Sequence, residues 1–243
     1  MKHQPPQTLF TMKKSVFTLA LVAASFAAVA QAPAPATATA TAATATDSYT
    51  AMMSTTIQEL MSTGDAAKLK QVDARLERAA QVAPKDWLPR YYQAYARLIT
   101  CFVSQEDGDT KDKYLDQAEA ALTQAQKLGA DESERLVLQA YIYQARLGIS
   151  PMVRSMKYSK MVTETLGEAK KANAANPRIY LVQANNVYYT PAMFGGGADV
   201  AKPLYQEAKA RFAAFQPKSG LMPNWGERQL TGRLKSYETA STN

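Results

Sequence analysis

Side chains able to act as nucleophiles, imidazole bases or soft metal ligands are scarce here: 243 residues hold one Cys and one His. The histidine, His3, belongs to a leader, so the body of the chain has no imidazole. A Ser–His pair, a His-ligated metal and an imidazole base are thereby excluded. Cys101 sits in the apolar run Leu98-Ile99-Thr100-Cys101-Phe102 with no base beside it in sequence, the setting of a buried helical thiol. The acids Glu106, Asp107, Asp109 and Asp112 fail as a calcium loop, because Gly108 directly follows Asp107 where an EF-hand needs its Gly at the sixth position and a Glu at the twelfth. They read as a solvated helix start. Met193-Phe194-Gly195-Gly196-Gly197 resembles a phosphate-cradling turn only in its glycines: no Gly-Lys-Ser/Thr follows, and Asp199 stands where an anion would sit. It reads as an inter-helix loop with Asp199 as N-cap and Met193 and Phe194 tucked under the helices or exposed as a contact. No catalytic residue, metal or cofactor is expected, and the chain reads as a non-enzyme.

The elements that position the remaining side chains are helical from Asp47 onward, with apolar residues recurring at three and four and no alternation of strand length. Gly64-Asp65, Ala83-Pro84, Gly129-Ala130-Asp131, Ser150-Pro151 and Asn176-Pro177 punctuate them, which predicts eight or nine helices and no sheet. Three copies of a short motif recur: Leu76-x-x-Ala79, Leu122-x-x-Ala125 and Leu166-x-x-Ala169. Each is followed by a second helix carrying Gln93-Ala94, Gln139-Ala140 or Gln183-Ala184, always 15 residues from alanine to alanine. Tyr205-x-x-Ala208 is a fourth, degraded copy. A constant interval implies a fixed loop between helices that pack the same way each time, while the variable return collects insertions on one edge of an array.

These residues resemble the tetratricopeptide repeat family. Ala118, Leu122, Ala125 and Ala130 match its second-helix pattern in one unit, Leu76, Ala79 and Pro84 in another, and Ala94, Ala140 and Ala184 match its small first-helix residue. The units are 46 and 44 residues long, above the family's usual length of about 34. The resemblance implies an all-α, tetratricopeptide-like helical-hairpin solenoid of three to four repeats over residues 48–243. It also implies that the first helices line a concave face. Tyr95, Tyr141 and Asn185, each following a small alanine, then point into the groove, with Tyr91, Gln144 and Tyr188 on the same stripe. Tyrosine and asparagine suit peptide recognition, whereas the plainer reading makes most of these tyrosines core.

The ends of the chain speak to address. Lys13 and Lys14, the apolar run Val16 to Ala30 and the small-x-small Ala28-Val29-Ala30 read as a signal peptide over 1–30, cleaved near Ala30, with Met12, followed by two lysines, reading as the natural start. The run is short of a bilayer span, so no stable membrane anchor is expected. Residues 31–47, made of Ala, Thr and Pro, read as a flexible linker. The formal charge of +7 invites an anionic partner, but Lys2, Lys13 and Lys14 leave with the signal and four charges remain. Residues 105–119 are acidic and 202–235 basic, with no basic stripe interleaved with aromatics, so no nucleic acid is expected. The leading expectation is an exported, periplasmic or secreted scaffold binding a protein or peptide of the cell envelope. The alternative is a periplasmic carrier holding a small or lipidic ligand between helices. Oligomeric state is not legible.

Overall fold

The computed structural model describes residues 36–240, with side chains from 46 to 239, so the expected signal peptide (1–30) lies outside the described residues. Nine α-helices and a single 3-10 turn follow in order, and no strand occurs among the described residues. They are α1 (Ala36–Ser62), α2 (Ala66–Val82), α3 (Leu88–Val103), α4 (Gly108–Lys127), α5 (Glu132–Ile149), α6 (Pro151–Ala172), α7 (Pro177–Tyr189), the turn Ala192–Phe194, α8 (Ala198–Ala214) and α9 (Glu227–Ala240). The chain is all-α, as its periodicity predicts. α1 begins at Ala36, inside the stretch read as linker (31–47). Alanine is the strongest helix former, and the helix extends back from a part anchored by the buried Met53, Ile57 and Leu60.

The punctuation works through capping. Asp65, Asp107, Asp131 and Asn176 each accept a hydrogen bond from a backbone N–H of the turn they open, at 2.9, 2.7, 3.1 and 3.1 Å. Pro151 and Pro177 stand at first helical positions, where a missing N–H costs nothing. α8 departs from expectation. Its cap position is Gly197 (φ 108°), while Asp199 lies inside the first turn. The glycine conformation lets the Gly197 N–H reach back to the Val187 carbonyl at 2.9 Å, so the glycines seal the end of α7 and leave no anion cradle.

The repeated motif has a physical meaning. The carbonyls of Ala79, Ala125 and Ala169 accept the N–H groups that close α2, α4 and α6, from Ala83, Ala130 and Asn173 at 2.9, 3.0 and 3.0 Å. The repeated alanine thus lies one turn before each helix end, buried where its small side chain lets the neighbouring helix approach. Each helix packs on its sequence neighbours, most closely α3 with α4, α5 with α6 and α7 with α8. α1, α3, α5 and α7 also touch in series. Ala94, Ala140 and Ala184 are fully buried where these helices approach. Residues 215–226 and α9 do not continue the stack. They cross the face made by α3, α5 and α7, as the contacts below establish.

Candidate functional site

The inner face begins with tyrosines placed by helical spacing. Tyr91, Tyr92 and Tyr95 stand on α3, Tyr141 on α5, and Tyr188 and Tyr189 on α7. Trp225 enters this face from the segment before α9. Its ring stacks between Tyr95 and Tyr141, with centroids 5.0 and 5.6 Å away, and its indole N–H donates to the Tyr91 hydroxyl at 2.8 Å. The Tyr92 hydroxyl donates to the Leu221 carbonyl at 3.0 Å, and Gln229 of α9 exchanges hydrogen bonds with the Tyr141 hydroxyl. Gly226 (φ 107°) makes the turn into α9 where an added Cβ would meet Leu181 and Phe212 at under 3 Å.

Beneath Trp225 lies a buried polar cluster. Arg178 grips Glu134 side-on through Nε and Nη2, Asn176 donates to the same carboxylate at 3.0 Å, and the Tyr91 hydroxyl lies 3.2 Å from it. Burial pushes the Glu134 carboxyl above its ordinary value, and the guanidinium and the phenol offset part of that rise. Phe215 and Trp225 lie against the guanidinium at 4.8 and 5.8 Å. The cluster ties α3, α5 and α7 to the C-terminal segment and is structural glue, since Arg178 has no solvent exposure.

Of the residues on the expected stripe, Tyr91, Tyr95 and Tyr141 meet around Trp225, so that part of the face is covered by the chain itself. Tyr91, Tyr95 and Tyr141 are buried, and burial holds the first two phenols far above their ordinary value and pushes Tyr141 up to about 12. Asn185 is buried and accepts from the Tyr205 hydroxyl at 2.8 Å, and Gln144 donates to the Val182 carbonyl at 3.2 Å. Tyr188 is half-buried, with the Arg233 guanidinium 3.9 Å over its ring. A peptide could reach this stripe only where residues 215–240 left it. Met193 and Phe194 sit on the loop after α7, exposed by 83% and 72%.

Other candidates resolve into structure. Cys101 is buried, and burial pushes its thiol up to about 11, which removes the thiolate a nucleophile needs. Asp107 caps α4, Glu106 accepts from Tyr114 at 3.0 Å, and Asp112 is held by Arg146 and Arg154. Sequence reasoning missed Trp225, the Glu134–Arg178 pair and the open end of the face. There Phe102 is 45% and Tyr189 66% exposed. The only sequence signal for Glu134 was its place three residues after the cap Asp131, where a glutamate ordinarily serves the helix start.

Fold and face together define an all-helical protein of packed hairpins whose aromatic inner face is closed by its own C-terminal segment. No protein-family model and no curated protein matches the chain. Among solved structures it is similar to the HusA haemophore from Porphyromonas gingivalis, with TM-score 0.69 and 33% identity over 79% of this chain and 94% of that one. At that identity and coverage the chain belongs to the family of this haemophore.

Proposed function

We propose that the protein is an exported carrier of haem or a closely related tetrapyrrole. The observation that carries the reading is the likeness to a haemophore at 33% identity across 94% of its length. Of the two sequence expectations, this favours the ligand carrier over the peptide scaffold. The geometry gives a second reason: the face that a tetratricopeptide-like array would offer to a peptide is occupied by Trp225 and α9. In this reading the repeats act as a rigid frame, and the ligand takes surface the C-terminal segment leaves uncovered. The signal-like first thirty residues support a place outside the cytoplasm, and no described helix is long and apolar enough to cross a membrane. The test is a titration of the purified protein with haemin, followed in the Soret band. A saturable shift at one equivalent is expected, and a spectrum identical to haemin in buffer overturns the reading.

A further inference from the structure

We infer that the tetrapyrrole lies on the open end of the inner face, flat against Phe102 and Tyr189, with its two carboxylates on Arg228 and Arg233. The inference rests on the carrier reading and adds the place and the chemistry of the contact. α3, α5 and α7 run in the same direction. Tyr91 and then Phe102 of α3 meet Glu134 and then Tyr141 of α5, and Glu134 and then Gln144 of α5 meet Arg178 and then Val182 of α7. Phe102 and Tyr189, near the ends of α3 and α7, therefore flank Tyr141 at one end of the face. The Phe102 ring lies 5.2 Å from that of Tyr141, and Gln229 and Arg233, one turn apart on α9, hold the Tyr141 and Tyr189 hydroxyls, which sets those two phenols side by side along α9.

Exposure and charge point to a ligand. Phe102 exposes its ring beside the buried Tyr141, and the exposed Tyr189 ring stands on the other side of Tyr141 on α7, which makes this end of the face an apolar shelf. α9 edges this shelf with two arginines that have no carboxylate partner among the described residues. Among the described residues Arg228 donates to the Met61 carbonyl at 3.3 Å, and Arg233 donates to the Tyr189 hydroxyl at 2.8 Å with its guanidinium 3.9 Å over the Tyr188 ring. A guanidinium carries five N–H donors, so a bond to the Met61 carbonyl or to the Tyr189 hydroxyl does not exhaust either side chain. The α9 acids Glu227 and Glu238 line the cleft toward α8. A flat apolar plate flanked by two guanidiniums matches a planar macrocycle with two carboxylates, which Arg binds with its forked donors.

The test compares haemin with its dimethyl ester on the full protein and three variants. Phe102→Ser with Tyr189→Ser is expected to weaken haemin at least about tenfold, a loss typical of removing a central contact. Arg228→Gln with Arg233→Gln is expected to weaken haemin comparably while leaving the ester at the parent affinity. Met193→Ser with Phe194→Ser, on the neighbouring loop, is expected to bind as the parent does. Parent-like haemin binding by both shelf variants overturns this site and leaves the carrier reading standing, as does an equal loss of haemin and ester in the arginine variant. A parent protein that binds neither compound overturns both.

Discussion

Trp225 is clamped by two ring faces and one hydrogen bond, with 1% of its surface exposed. Its truncation to alanine is expected to cost about 3–5 kcal/mol by opening a cavity between Tyr95 and Tyr141, measured by urea unfolding, and to make residues 215–240 sensitive to protease. Glu134→Gln leaves the Arg178 charge buried without its counter-ion, and a similar loss of about 3–5 kcal/mol is expected. Adding Arg178→Met should recover part of it, and a double variant no more stable than Glu134→Gln alone would refute the pairing. At this scale the sequence was readable where spacing carried the information. One face of Tyr91, Tyr95, Tyr141 and Tyr188 follows from helical period and repeat register. Nothing local ties residue 225 to residues 95 and 141, so the stripe could be drawn but its occupant could not. Phe102 was hidden in another way: it ends an apolar run whose other members are mostly buried, and only the position of α9 decides that its ring stays wet.

Among elements, the hairpins depend on close approach at small residues. Ala140 is fully buried between α5 and its neighbours, so Ala140→Leu is expected to overpack the array and cost about 1–3 kcal/mol, read as a lowered thermal midpoint. Gly226→Ala combines a positive φ with a Cβ under 3 Å from Leu181 and Phe212. It should loosen α9 more than the hairpins, seen as faster amide exchange in 227–239 with little change in α4 to α6. The interval of 15 was legible because small residues recur where neighbouring helices approach, Ala79, Ala125 and Ala169 on one helix of each pair and Ala94, Ala140 and Ala184 on the next. The start of α8 was not, since Asp199 has the chemistry of a cap and only the backbone path of Gly197 shows that the cap falls earlier.

For the whole molecule, pH sensitivity has two limits. Arg90 holds Glu77 below its ordinary value of 4.5, Arg154 does the same for Asp112 below 3.8, and Arg135 for Glu132 below 4.5. A depressed carboxylate adds stability that is complete above its ordinary value and fades as pH falls through the folded one, so melting temperatures should decline as pH falls below about 4, while the raised Glu134 opposes this trend by losing stability as pH rises above 4.5. At the alkaline side, burial raises Tyr91, Tyr92, Tyr95 and Tyr205 above their ordinary 10.0. The unfolded chain then ionises first, and stability should fall as pH passes 10, with phenolate absorbance appearing together with unfolding. Melting temperatures that stay constant from about pH 2 to about pH 11 would refute both halves.

The bond between Trp225 and Tyr91 joins residues 134 positions apart. Stacked hairpins with neighbour contacts alone could acquire structure one after another as a ribosome releases them. Here the core of the earliest hairpin waits for an indole made much later. Every partial product carries an unsealed aromatic trough until residues 215–240 emerge, so the last part of the chain completes the packing of α3 and α5.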